Sequence, residues 1–163
     1  ARAARRRQAL VDVQQALETG EPFAEALATL DASMVPDALA AAAESGVPTL
    51  AALQESFAEP ARAALDAARR AEAPEDTGAR VTSFLHTQLG VRSLAPRDGG
   101  SPDAVLSRAE ASLRNAEIAG AIDELAALPE VAQQEMAAWV ARASTRAAAV
   151  AAADELAATL ATN

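Results

Sequence analysis

One histidine, His86, stands in a chain of 163 residues that has no cysteine, and its 23 acidic side chains face 14 basic ones, every one of them arginine. Without cysteine there is no thiol nucleophile, no disulfide framework and no thiolate-held zinc or iron–sulfur centre. A single imidazole also excludes a site built from two or more histidines. The remaining candidates for proton chemistry are the adjacent acids Glu75-Asp76, Asp123-Glu124 and Asp154-Glu155. Neighbours on a helix point about 100° apart, so these pairs read as solvated surface rather than as facing dyads. No glycine-rich phosphate loop, nucleophile elbow or metal-ligand spacing is present. The residues therefore point away from an enzyme, with neither cofactor nor metal expected.

The charge is unevenly distributed, and this is the most informative pattern in the chain. The formal net charge is -9, yet Thr77 to Arg97 contains Arg80, Arg92 and Arg97 and no acid. In the same stretch Val81, Phe84, Leu85 and Leu89 fall at i, i+3, i+4 and i+8, which gathers them on one helical face, with Arg80, Ser83 and Thr87 away from it. An apolar face rimmed by arginine has the ingredients for an interfacial helix: the greasy side enters the acyl boundary, and each arginine near anionic headgroups adds about 1 kcal/mol. The competing reading is a core-facing helix with solvated arginines. His86, between Leu85 and Thr87, either tunes such a contact below its ordinary pKa near 6.5 or is an incidental polar residue. Nucleic acid is a poor partner for a chain of this charge with only four aromatic rings, Phe23, Phe57, Phe84 and Trp139.

The elements that must carry these residues are helical. Of the 163 residues 48 are alanine, the strongest helix former, and β-branched and aromatic residues are too few for a sheet. An all-α, alanine-rich bundle with helical hairpins follows, with thin cores because alanine buries little area. Glycine and proline mark the joints. Gly20 followed by Pro22, and Gly46 followed by Pro48, form two similar helix-turn-helix corners offset by 26 residues. Leu10, Val13 and Leu17 give the first helix its apolar side. Ala95 to Gly100 is the strongest break, after which Ser101, Pro102 and Asp103 compose a helix start. Leu106, Ala109 and Leu113 line the helix that follows, and Ile118, Ile122 and Leu125 the next one. Three regions result: a helical region over 1–75 with its two corners, an amphipathic segment over 76–97, and a helical domain over 98–163.

After Pro129 there is no glycine or proline to about Leu160, enough for a last helix of about 30 residues. Met136, Val140, Ala143, Ala147 and Val150 alternate by four and three, a heptad-like stripe that needs cover from the preceding hairpin or from a second copy, including a helix-exchanged dimer. Trp139 reads as a core anchor or as a further contact of that seam. Arg5-Arg6-Arg7, with Arg2, either touch phosphates or belong to a longer charged helix. No apolar run reaches the ~20 residues that span a bilayer, and the absence of Met at position 1 reads as a piece of a longer chain.

The run Ser101 to Leu113, then Ala121 to Pro129, then Trp139-Val140-Ala141-Arg142-Ala143, resembles the C-terminal signature of the mitofilin family, the inner-membrane organisers of crista junctions and their alphaproteobacterial relatives. Val91 to Leu94 and the helix before them occupy the place of that family's lipid-binding segment. The resemblance implies a non-enzymatic membrane-shaping module on the periplasmic face of a bacterial inner membrane, anchored by a segment outside this sequence. It implies that Arg80, Val81, Phe84, Leu85, Leu89, Arg92 and Arg97 meet an anionic phospholipid membrane. Self-association through Met136, Trp139, Val140, Ala143, Ala147 and Val150 is expected alongside, and outer-membrane assembly proteins are further expected partners. Bacterial members often read Gly-Asp-Leu where this chain has Ala116-Glu117-Ile118, a departure that falls at a tight turn. The alternative is a protein-binding scaffold, because the Ser101 to Ala143 hairpin also resembles one tetratricopeptide-like unit.

Overall fold

Alanine-rich segments interrupted by glycine and proline give short helices and one long one. The computed structural model describes residues 2–73 and 99–162, and among these every regular element is helical. In chain order they are α1 (Arg2–Thr19), α2 (Ala24–Ala28), a 3-10 turn (Ala32–Met34), α3 (Asp37–Ala42), α4 (Leu50–Glu55), α5 (Ala58–Glu72), α6 (Pro102–Arg114), α7 (Ile118–Leu125) and α8 (Glu130–Thr162). The all-α fold and the long final helix expected from composition are both present. At 33 residues α8 is slightly longer than its apolar pattern indicated.

The chain divides into two units. The first is discontinuous, Ala1–Glu55 with Val140–Asn163, and the second is Ser56–Trp139. The division between them falls inside α8, whose uninterrupted alanine-rich sequence gave no mark of it. The segment 76–97 lies outside the described residues.

The first unit is organised by the two glycine corners. Gly20 (φ 79°) and Gly46 (φ 70°) both adopt the left-handed conformation that ends a helix. Their amides bond back to the carbonyls of Ala16 and Ala42, both at 2.8 Å. In each corner the proline sits one residue before the helix N-cap rather than in the first turn. Phe23 is the N-cap of α2, and in the matching position the Thr49 hydroxyl accepts from the Ala52 amide at 3.1 Å at the start of α4. The two corners are in contact. A Cβ on Gly46 would stand 2.3 Å from the carbonyl oxygen of Gly20 and 2.8 Å from that of Glu21, so main chain meets main chain with no room for a side chain. The Phe23 amide bonds the Ala43 carbonyl at 2.8 Å and adds a second link.

Around these corners Val13 and Leu17 of α1, Phe23, Leu27, Leu30 and Leu39 supply most of the large side chains of a core to which α8 adds Ala149, Ala152, Ala153 and Leu156. The α8 contribution is thin: three of its four residues are alanine.

The second unit is a helical hairpin with supports. Ser101 caps α6, its hydroxyl accepting from the Ala104 amide at 3.3 Å, with Pro102 in the first turn as the sequence predicts. Leu106, Ala109 and Leu113 are buried, as are Ala121 and Leu125 of α7, while Ile118 and Ile122 are half-buried. Between α6 and α7 the chain makes a tight turn at Ala116. Ala116 has φ 63°, the Glu117 amide bonds the Ser112 carbonyl at 2.9 Å, and the Ala116 amide bonds the Leu113 carbonyl at 3.1 Å. This is the paired bonding of a Schellman end, which glycine serves without the steric cost of a Cβ. Arg108 ties the hairpin together, its Nε 2.8 Å from Glu124 and one terminal nitrogen donating to the Gly99 carbonyl at 2.7 Å.

Candidate functional site

Helix α8 carries most of the described residues singled out by the sequence. Its buried positions are Ala132, Met136, Trp139, Ala143, Arg146, Ala149, Ala152, Ala153 and Leu156. This stripe agrees with the predicted one at Met136 and Ala143 and departs from it at Val140, Ala147 and Val150. Trp139, Arg146 and Ala149 face inward where Val140, Ala147 and Val150 were expected. Val140 and Ala147 are half-buried, and Val150 is exposed. Met136, Trp139 and Ala143, expected in a self-association seam, are thus covered within one chain. The phase is set by two large side chains with specific partners.

The first is Trp139. Its ring meets Phe57 edge to face, with centroids 5.0 Å apart and planes at 80°. This geometry places the positive edge of one ring on the negative face of the other and adds about 1 kcal/mol to the area buried. Phe57 is also the N-cap of α5, so the pair joins the start of α5 to the first turns of α8 within one unit.

The second is Arg146, which sequence reasoning missed. It is the only buried charged residue among those described, at 5% exposure. One terminal nitrogen donates to the Leu17 carbonyl and to the Pro48 carbonyl, the latter at 3.2 Å, and the other nitrogen lies 3.1 Å from Glu18. Leu17 and Glu18 belong to the last turn of α1, where carbonyls lack helical partners and the macrodipole is negative. Pro48 belongs to the second glycine corner. One guanidinium therefore closes the end of α1, the second corner and α8 into a single clamp. Glu18 is largely exposed, so its ion pair contributes little and the two carbonyl bonds carry the interaction. With one nitrogen donating to two main-chain carbonyls and the other set against Glu18, this side chain supports architecture.

Among the described residues the other acids and arginines are half-buried or exposed. Glu124 is committed to Arg108, while Asp123, Asp154 and Glu155 are exposed. Arg6 pairs with Asp31. Among the described residues there is no group of three metal-ligating side chains, no helix is long and apolar enough to cross a membrane, and no fully buried side-chain polar atom lacks a partner. Glu75, Asp76 and the whole predicted lipid-binding set, Arg80, Val81, Phe84, Leu85, Leu89, Arg92 and Arg97, together with His86, lie outside the described residues.

With this geometry in hand, comparison with family models, curated proteins and solved structures returned no match to the chain.

Proposed function

We propose that this chain is a non-enzymatic, helical membrane-organising module that binds an anionic phospholipid surface through residues 77–97 and self-associates through α8. The observation that carries the reading is the segregation in that stretch: three arginines and no acid, with Val81, Phe84, Leu85 and Leu89 at helical spacing, inside a chain of net charge -9. The topology is compatible with it. The stretch is bracketed in sequence by α5 and α6, which touch each other within one unit, so it connects two elements already held together. The resemblance of Ser101 to Ala143 to the mitofilin signature points the same way, toward the periplasmic face of an inner membrane, with outer-membrane assembly proteins as further partners. For self-association, the residues of the predicted seam that retain solvent exposure are Val140, Ala147 and Val150, and light scattering at two concentrations reads whether a second copy covers them.

Flotation with vesicles of equal parts phosphatidylglycerol and phosphatidylcholine tests the lipid contact. Native chain is expected to float with these vesicles, whereas Phe84→Asp and the triple change Arg80→Glu, Arg92→Glu, Arg97→Glu are expected to remain at the bottom of the gradient. Identical behaviour of all three chains would remove the mechanism. A second reading, a peptide-binding scaffold, draws on the close α6–α7 hairpin, and is favoured instead if the chain ignores vesicles and captures a protein through that hairpin.

A further inference from the structure

The first unit is closed by a stretch of helix that runs on unbroken from the second. Residues 140–163 belong to α8, whose earlier turns carry Met136 and Trp139, buried in the other unit. Residues 1–55 have fastenings of their own. Their large buried side chains, Val13, Leu17, Phe23, Leu27, Leu30 and Leu39, come from their own helices and corners. The Phe23 amide bonds the Ala43 carbonyl, and the two glycine corners abut main chain to main chain. To this core α8 adds Ala149, Ala152, Ala153 and Leu156, with Leu160 half-buried beside them.

Alanine gives up little apolar area when it is uncovered, so the apolar part of this attachment is weak for its length. Arg146 supplies the specific part, donating to the Leu17 and Pro48 carbonyls and lying against Glu18. Each group at that contact has a solvated alternative. The guanidinium keeps its charge in water, water replaces the lost donor at the last turn of α1 and at the corner, and the Glu18 side chain is already 75% exposed. The stretch itself is rich in alanine and continues turns that stay anchored, so it needs no new nucleus to remain helical. A segment with few large buried side chains opens at lower free energy than the core it covers.

We infer that residues 146–160 of α8 are a strap across the first unit with Arg146 as its catch, released from residues 1–55 while their corner core and the second unit stay folded. Release frees Leu17, Glu18 and Pro48 together, because one side chain holds all three. It also uncovers the side of the core that Ala149, Ala152 and Leu156 close. The earlier turns of the same helix, fastened by Trp139 against Phe57, remain in place. The strap needs neither a membrane nor a second copy, so it stands or falls apart from the proposed function.

The chain has no cysteine, so one introduced thiol reports on one position. Ala149→Cys and Ala132→Cys place it at sites that are both fully buried, one in each unit. In the whole chain under native conditions, Ellman's reagent is expected to react at least about 10-fold faster with the Ala149→Cys form than with the Ala132→Cys form. Adding Arg146→Met is expected to accelerate the Ala149→Cys form about 10- to 100-fold, the worth of hydrogen bonds from a charged donor, and to leave the Ala132→Cys form unchanged. An equal or slower reaction at position 149 overturns the inference, as does an Arg146→Met change that accelerates both forms alike or neither. Where a cysteine disturbs the fold by circular dichroism, hydrogen exchange of the unsubstituted chain decides. Residues 147–160 are then expected to lose protection as one group ahead of residues 130–139. Uniform protection along the helix overturns the strap, and so does a gradient confined to the last turn, which is fraying.

Discussion

Helix α8 is held in two ways along its length. In the second unit it is fastened by Met136 and Trp139, large buried side chains, with Trp139 set against Phe57. In the first unit its buried positions are alanines and one leucine, and the distinctive fastening is Arg146 on the main chain of two corners. The helix ends near it are finished in parallel fashion. Gln133 donates to the Ala126 and Leu128 carbonyls just after α7, at 3.0 Å and 2.7 Å, as Arg146 donates to Leu17 in α1. The contrast is one of resources. Where aromatic area is available, apolar packing is sufficient; where alanine supplies the interface, little area is buried per turn, and a charged group bonded to unpaired carbonyls fixes the register instead.

The largest expected effect breaks the apolar fastening. Trp139→Ala removes the ring and leaves a cavity beside Phe57, for a loss of about 4 kcal/mol in urea denaturation followed by circular dichroism. Next is the polar fastening. Arg146→Ala removes the donor from the buried Leu17 carbonyl and from the half-buried Pro48 carbonyl and is expected to cost about 3 kcal/mol. Arg146→Met sharpens the comparison because it keeps the bulk and removes only the donors. Losses of similar size in the two variants assign the effect to hydrogen bonding, whereas near-native stability of the methionine form would make the site a matter of packing alone. The smallest effect has the opposite sign. Ala116→Gly relieves the left-handed strain at the α6–α7 turn and should stabilise the second unit by about 1 kcal/mol, read as a raised unfolding midpoint.

Much of this frame was legible in the sequence where apolar residues are large and glycine or proline is nearby. Val13 and Leu17, the Leu106–Ala109–Leu113 face, the Ser101 cap and both glycine corners lie where spacing and turn chemistry put them. The phase of α8 was not legible, for a physical reason. In a helix with alanine on nearly every face, hydrophobic period carries little information, so the valines were weighted toward the inside. The residues that set the phase find their partners far away in sequence, Phe57 for Trp139 and Leu17 for Arg146. A buried arginine whose acceptors are backbone carbonyls has no signature in side-chain chemistry at all. The discontinuity of the first unit was hidden likewise, because nothing in an uninterrupted helix marks where its neighbours change. The predicted lipid-binding residues remain a sequence-level reading.

The meeting of Gly20 and Gly46 constrains how this chain can vary over time. Two loops that abut through bare peptide groups cannot drift separately: any bulk gained at position 46 must be matched by a retreat of the peptide at 20, and bulk gained at position 20 would press on the Thr49 side chain and the Val47 carbonyl, each 3.2 Å from where a Cβ would stand. Alanine-rich helices around them can exchange residues freely, but this crossing point admits few solutions, so descendants of this sequence should preserve a pair of glycines that perform no chemistry.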